Sequence, residues 1–178
     1  MVKKIDVKLS IPEGINVDVD NGMVTIRGSK AELKRNFYRP GIKIVKEEDN
    51  ILILADTKKA TKKDKSIINT FRAHIKNMFI GVTKGYTTKL KICSGHFPMN
   101  VSVQGKDITI KNFLGEKVPR KSIILDNVHV KVDGDVVIVS GYDKEKVNQT
   151  AANMEKATFI SKRDRRVFQD GIFIFHKE

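Results

Sequence analysis

The chain has 178 residues, and its 34 lysine and arginine residues exceed its 21 aspartate and glutamate residues to give a formal net charge of +13. A hydrophobic content of 40% excludes a disordered polycation, and no apolar run approaches the roughly 18 residues of a membrane-spanning helix. The single cysteine, Cys93, excludes an internal disulfide and a multi-cysteine zinc site. We therefore expect a soluble, intracellular protein with no membrane partner and no secretory signal.

The first half of the chain reads as strands followed by one helix. Residues 5–11 and 15–20 alternate apolar and polar side chains, as half-buried strands do. Asn21-Gly22 then predicts a tight turn into a strand over 23–27, because these residues tolerate positive φ. Residues 51–54 form a further apolar strand. The helix that follows is predicted from apolar residues on one stripe: Ile67, Ile68, Phe71, Ile75, Met78, Phe79 and Val82.

The second half repeats this order. The spacing of Val17, Val19 and the triplet 24–26 returns 84 residues later at Val101, Val103 and 108–110. The apolar residues 51–54 are echoed at an offset of 85 by 136–139. The repeat predicts an α+β fold made by tandem duplication of a module with a small β-sheet and one helix. We place the two similar domains at 1–83 and 84–178.

In the second copy, residues 104–107 form the turn that corresponds to Asn21-Gly22 of the first copy. Residues 133–135 (Asp-Gly-Asp) predict another hairpin. Val128, Val130 and Val132 alternate before it, whereas 136–139 is continuously apolar, which predicts a strand covered on both faces. A helix is predicted after Asp143, its expected N-cap. Its apolar stripe is Val147, Ala151, Met154 and Thr158.

Positive charge is concentrated in two places. Five lysines fall within eight residues, and one lysine with three arginines falls within five. The first run is Lys58, Lys59, Lys62, Lys63 and Lys65; the second is Lys162, Arg163, Arg165 and Arg166. Either run can be a solvated surface. Guanidinium groups match phosphate oxygens in pairs, so the second run favours a nucleic acid partner more strongly.

No constellation of residues indicates catalysis. The four histidines, His74, His96, His129 and His176, lack metal-ligand spacing. Cys93 and His96 are near each other, but no neighbouring carboxylate is placed to orient that histidine. We expect no enzymatic activity, no catalytic residues, no bound metal and no other cofactor.

Several longer motifs are more specific. They are 70–78 (Thr-Phe-Arg-Ala-His-Ile-Lys-Asn-Met), 81–86, Lys89-Leu90, 96–98 (His-Phe-Pro), 112–117 (Asn-Phe-Leu-Gly-Glu-Lys) and 162–172. Together they resemble ribosomal protein six of the large subunit over nearly the whole chain. The ending resembles the archaeal and eukaryotic branch, since only Gly171-Ile172 remains of the bacterial Lys-Gly-Lys-Gly-Ile pattern.

The resemblance implies a duplicated α+β fold, no enzymatic activity and a cytoplasmic, ribosomal location. It implies binding to large-subunit ribosomal RNA, near the sarcin–ricin region and the stalk base, beside neighbouring ribosomal proteins and close to where translational GTPases act. The matching rRNA-binding positions lie in the second domain and its basic C-terminal extension: Lys162, Arg163, Arg165, Arg166 and Gly171, with Lys156 and Lys177 as flanking rRNA-binding positions. A secondary basic patch is formed by Lys58, Lys59, Lys62 and Lys63.

Physical chemistry fits this assignment. Basic side chains can follow an RNA backbone, and Gly171 has no side chain to keep the backbone away from it. Aromatic residues make up only 7%, which argues against single-strand stacking platforms. We interpret Phe97 and Phe113 as residues that pack loops onto the second sheet.

Two other functions stay open at this stage. One is a free-standing basic nucleic-acid-binding module, such as a chromatin-like protein or an RNA chaperone. The other is an RNA-modifying or RNA-cleaving enzyme, which needs an acid and a base within reach of one another. No motif here suggests such a pair, and only turnover of RNA that is lost on mutating His96 or His176 would revive this function. The sequence also leaves open whether the C-terminal extension is ordered without RNA.

Overall fold

The computed structural model describes residues 6–55 and 61–177. The chain divides into two compact units, and the division falls between Lys84 and Gly85. Lys58 and Lys59 of the predicted basic patch lie outside the described residues. None of the helices in the described ranges combines the length and apolar character needed to span a membrane.

The first unit contains six strands and one helix: β1 (Asp6–Ser10), β2 (Asn16–Asp20), β3 (Met23–Arg27), β4 (Glu32–Asn36), β5 (Ile42–Glu47), β6 (Asn50–Ala55) and α1 (Lys62–Thr83). The strands form two antiparallel three-stranded sheets, in the orders β1-β6-β5 and β2-β3-β4. The turn between β2 and β3 uses positive φ at Asn21 (43°) and Gly22 (84°), as the sequence predicts.

Helix α1 begins with a capping box. The Thr61 hydroxyl accepts a hydrogen bond from the Asp64 N–H at 3.3 Å, and the Asp64 carboxylate accepts one from the Thr61 N–H at 3.0 Å. These bonds satisfy two donors that the first turn would otherwise leave unpaired. The predicted apolar stripe is the buried face of the helix, with Ile68, Ile75 and Val82 fully buried.

The second unit repeats this plan. It contains β7 (Tyr86–Cys93), β8 (Asn100–Gln104), β9 (Asp107–Lys111), a 3₁₀ turn (Phe113–Gly115), β10 (Arg120–Ile123), β11 (Val128–Asp133), β12 (Val136–Gly141), α2 (Lys144–Ala157) and β13 (Gly171–Lys177). Strands β8, β9 and β10 form one sheet, and a four-stranded sheet has the order β11-β12-β7-β13. The duplicated α+β architecture is thus confirmed, with two small sheets in each copy. Strand β13 has no counterpart among the described residues of the first unit.

Strand pairing corrects one offset in the repeat. Glu47 pairs with Asn50 across the β5–β6 hairpin, and Asp133 pairs with Val136 across β11–β12. Asn50 therefore corresponds to Val136, an offset of 86 residues where the sequence pattern predicts 85. The two strands share the same alternation of buried and half-buried residues. A shift of one residue matters because it exchanges the two faces of a strand.

The same alternation overturns the prediction that residues 136–139 are covered on both faces. Val137 and Val139 are fully buried, whereas Val136 and Ile138 are only half-buried. Only one face of β12 therefore belongs to the packed core of the unit. Apolar residues on both faces of a strand do not by themselves establish that both faces are covered.

Helix α2 starts where the sequence predicts. The Asp143 carboxylate accepts a hydrogen bond from the Glu145 N–H at 2.9 Å, which makes Asp143 the N-cap. The helix ends at Ala157, so Thr158 is its C-cap and not part of its body. Val147, Ala151 and Met154 pack into the same core as Phe113, which is 1% exposed. Phe97 differs from its prediction: it is 48% exposed and lies against the Gly115 turn.

Candidate nucleic-acid interface

An exposed basic segment, residues 162–166, lies between α2 and β13. Lys162, Arg163, Arg165 and Arg166 are all exposed there, so the structure keeps the predicted arginine-containing run on the surface. Lys162 adopts a φ of 60°, in the left-handed region, and the next residues turn back toward the sheet. Four cations on a short turn can contact adjacent phosphates of a polyanion.

Asp164 organises this basic segment. Its carboxylate accepts hydrogen bonds from the backbone N–H of Arg166 at 2.9 Å and from the Arg166 guanidinium, with Nη2 at 2.7 Å. The side-chain hydrogen bonds from Arg166 lower the pKa of Asp164, and the backbone bond adds to that effect. The Asp164 carbonyl also accepts from the N–H groups of Val167 and Phe168. Arg166 therefore lies on a fixed turn, with one edge of its guanidinium already bonded to a carboxylate.

The other two arginines lie over aromatic rings. The guanidinium carbon of Arg163 is 4.9 Å from the centre of the Phe168 ring, and that of Arg165 is 5.1 Å from the centre of the Phe159 ring. A cation over a ring face is held by the ring quadrupole, while its in-plane N–H groups are not used by that contact. Both side chains are thereby restrained without losing the donors that phosphate needs.

A buried carboxylate fixes the end of this loop. Asp170, 3% exposed, accepts hydrogen bonds from the N–H groups of Gly95 (2.5 Å) and His96 (3.0 Å), and its Oδ2 lies 2.6 Å from Nδ1 of His96. Burial by itself would raise the pKa of Asp170, but the hydrogen bonds from the His96 backbone, the His96 ring and Gly95 outweigh it and lower that pKa. The His96 ring in turn stacks on Phe168, with ring centres 4.8 Å apart.

This arrangement corrects one statement made from sequence. A carboxylate does orient His96, and it is Asp170, 74 residues away along the chain. No hydroxyl or thiol among the described residues hydrogen-bonds to His96. The described ranges also contain no group of three or more histidine, cysteine or acidic residues that could hold a metal ion.

A cleft of about 700 Å³ opens beside the basic segment. Three phenylalanines, two cations and several polar groups line it: Phe159, Phe168, Phe173, Lys156, Arg165, Glu155 and Gln169, with Cys93, Thr158, Ile160 and Asp170. Lys156 is exposed in the last turn of α2, so the structure brings it together with Arg165. The aromatic lining was not predicted from the sequence. Phenylalanines at 159, 168 and 173 interleaved with basic residues were the available signal.

Gly171 and Lys177 were predicted to bind RNA together with the basic segment, but the structure places neither of them in it. Gly171 is buried at the start of β13 and pairs with Cys93; a Cβ there would lie 2.9 Å from Cζ of Phe173. A side chain at Gly171 would have to displace the Phe173 ring. Lys177 is exposed at the other end of β13, six residues and about 20 Å further along the strand. The structure does not bring Lys177 to the basic segment.

The lysines of the secondary patch that the structure describes belong to the first unit. Lys62 and Lys63 are exposed in the first turn of α1. A helix N-terminus carries partial positive charge, so these lysines add to the positive potential there.

Comparison with known proteins gives consistent matches across the chain. A family model described as "Ribosomal protein L6" matches residues 11–85 and 97–171, once in each unit. A relative named "Large ribosomal subunit protein uL6" from Methanosarcina mazei is 45% identical over 177 residues, which is 99% of each chain. Another of the same name, from Ignicoccus hospitalis, is 50% identical over 173 residues, covering 96% of this chain and 93% of the relative.

Proposed function

The chain belongs to the ribosomal protein L6 family, and from that membership we propose that it is a structural component of the large ribosomal subunit in the cytoplasm. It binds large-subunit ribosomal RNA and catalyses no reaction. Both units match the family model, over residues 11–85 and 97–171. Relatives named for the large subunit match the chain along nearly its full length.

The observation that carries RNA binding is the exposed basic segment with its fixed geometry. Arg163 and Arg165 are held over phenylalanine rings, and Arg166 is held by Asp164. Restrained guanidinium groups lose less conformational entropy when they bind phosphate. Folded RNA is recognised largely by shape, phosphate and 2′-hydroxyl contacts, which such a turn can supply without reading a base sequence.

Lys156 adds a cation beside Arg165 in the cleft, and Lys162 adds one next to Arg163 in the basic segment. Lys177 serves as a separate phosphate contact at the far end of β13. Gly171 acts indirectly, because it leaves room for Phe173 beside the cleft. The lysines of the first unit, Lys58, Lys59, Lys62 and Lys63, form a secondary contact.

The family resemblance supports a proposal about the position of the chain within the subunit. We propose contact with RNA near the sarcin–ricin region and the stalk base. Neighbouring ribosomal proteins adjoin the chain there, and translational GTPases act close by. A map of RNA protection by the bound chain tests this position, because cleavage of the RNA backbone by hydroxyl radicals is reduced only where protein covers it.

Sedimentation of native extract in sucrose gradients, at low and high salt, tests the function itself. An integral component sediments with the large subunit and stays there after the salt wash. The alternative is a free-standing nucleic-acid-binding module, a chromatin-like protein or an RNA chaperone. It would stay at the top of the gradient, or be removed by modest salt, and would bind any duplex with similar affinity.

A further inference from the structure

The cleft beside the basic segment has an exposed aromatic lining, which a site for phosphate alone does not need. Phe159 is 58% exposed and Phe173 is 38% exposed, and both line it together with the half-buried Phe168. Exposed aromatic rings leave apolar area in water that a flat ligand could cover. The volume of about 700 Å³ lies within the range of small-ligand sites.

The chemistry of the lining selects between the parts of a nucleotide. The phenylalanine rings and the Glu155 carboxylate offer a phosphate no hydrogen-bond donors and one repulsive charge, so within the lining a phosphate is attracted to the two cations and not to the rings. A nucleobase has the opposite needs: π-faces that stack on rings, and edge N–H groups that a carboxylate can accept. The cations Lys156 and Arg165 line the same cleft, so a phosphate attached to the base can be bound beside it.

We propose that this cleft binds one unpaired nucleobase of large-subunit ribosomal RNA, stacked against Phe159, with Lys156 and Arg165 on its phosphate. The inference rests on the proposed RNA binding and adds a specific subsite to it. RNA offers such bases in its loops and bulges, where they are splayed from the helix.

The cleft is organised in advance of binding. The Arg120 guanidinium donates hydrogen bonds to the carbonyls of Ala157 and Phe159, both at 2.9 Å, and so fixes the chain that carries the Phe159 ring. On the other side, His96 stacks on Phe168 and is itself held by Asp170. A base that enters the cleft therefore orders few protein groups, which favours affinity.

Equilibrium binding of the full chain to protein-free large-subunit RNA from the organism that encodes it tests the proposal, measured over a series of salt concentrations. Phe159→Leu keeps an apolar side chain but removes the ring. Because the Phe159 ring also holds Arg165, the substitution is made in the unmodified chain and in an Arg165→Ala background. In both backgrounds we expect affinity to fall roughly tenfold to a hundredfold, the loss of one stacked base, with the salt slope unchanged by Phe159→Leu. A loss that disappears in the Arg165→Ala background would mean that the ring acts only through Arg165, which overturns the base site. Phe159→Trp should bind like the unmodified chain, because it keeps a stacking surface.

Phe175 provides the matched control. It lies two residues beyond Phe173 on β13, is 57% exposed and does not line the cleft, so Phe175→Leu should leave affinity unchanged. Phe159 is largely exposed, and thermal melting of each variant establishes that it is folded.

The outcomes separate the two proposals. An unmodified chain that does not bind the RNA contradicts the proposed function. Normal binding by that chain, together with unchanged affinity in Phe159→Leu, overturns the base site alone. If Phe159→Leu impairs incorporation into reconstituted subunits but not binding to the free RNA, the cleft takes a protein partner and the base site is again wrong.

Discussion

Asp170 and His96 are joined by two hydrogen bonds across 74 residues of sequence, one to the backbone N–H at 3.0 Å and one to the ring Nδ1 at 2.6 Å. They connect the loop after β7 to the residue that precedes β13. A third bond, from the Gly95 N–H, completes the coordination of a carboxylate that is almost fully buried. Because the His96 ring supports Phe168, this buried contact also fixes one wall of the cleft.

Removal of that carboxylate should destabilise the second unit. In Asp170→Ala, the N–H groups of Gly95 and His96 lose their acceptor in a part-buried site. We expect the free energy of unfolding of this unit to fall by about 3 kcal/mol, the cost of unsatisfied buried donors. Native-state hydrogen exchange of the β13 amides measures it. Asp170→Asn has nearly the same volume and keeps one carbonyl acceptor for these N–H groups, so it should lose less. An equal loss in both variants would assign the effect to the negative charge beside the His96 ring and not to unsatisfied N–H groups.

The same carboxylate predicts an acid dependence. The pKa of Asp170 is lowered in the folded unit, because hydrogen bonds from His96 and Gly95 outweigh the opposing effect of burial. Its contribution is therefore complete above the unfolded pKa of about 3.9 and is lost as pH falls through the folded value. The stability difference between the unmodified chain and Asp170→Asn should shrink over the acid interval that begins as pH falls below about 4. A difference that stays constant over that interval would show that the charge of Asp170 is not responsible.

The basic segment makes a quantitative prediction about salt. Arg165→Ala combined with Arg166→Ala should weaken RNA binding and reduce the slope of log affinity against log salt by roughly two phosphate contacts. Both side chains are exposed, so stability should change little. Binding isotherms at several salt concentrations give the slope. Lys121→Ala with Lys131→Ala removes the same charge from exposed positions elsewhere in the unit, and an equal effect there would mean that net charge alone decides.

Local signals in the sequence were sufficient for much of the fold. Asn21-Gly22 specifies its hairpin because both residues adopt positive φ, and Asp143 specifies the start of α2 by capping it. Some strands, such as β4, are not predicted from the sequence because their local hydrophobic pattern is weak. In β4, Glu32–Asn36, only alternate residues are half-buried and most side chains are charged. Its position is set by pairing with β3, a tertiary interaction that periodicity does not report.

In the candidate site, too, local features were predictable from the sequence and contacts between distant residues were not. Charged side chains are exposed as a rule, so the run of basic residues in the sequence was enough to locate Arg163, Arg165 and Arg166 on the surface. The bond between Asp170 and His96 brings together residues 74 positions apart, which spacing in the sequence cannot indicate. Low aromatic content predicted no stacking surface, but the fold gathers phenylalanines from three separate segments into one cleft.

Arg120 links the core to this cleft through four hydrogen bonds. Its Nη1 donates to the carbonyls of Ala157 and Phe159, its Nε and Nη2 donate to the Glu116 carboxylate at 2.8 and 2.6 Å, and its guanidinium lies 4.2 Å over the Phe113 ring. A lysine cannot reproduce this fork, because its ammonium is a point charge. Arg120→Lys should lower the free energy of unfolding of the second unit by about 2 kcal/mol. Lys121→Ala, an exposed neighbour on the same strand, should have little effect.

The pKa of the Glu116 carboxyl is a direct measure of what Arg120→Lys removes. That pKa is lowered, chiefly by the hydrogen bonds from Arg120. In Arg120→Lys we expect that pKa to rise toward its ordinary value, which an NMR titration of the Glu116 carboxyl carbon measures. Because the Phe159 carbonyl loses its donor as well, RNA affinity should fall without a change in the salt slope. A Glu116 pKa that rises while RNA affinity is unchanged would show that Arg120 stabilises the core but does not position the cleft.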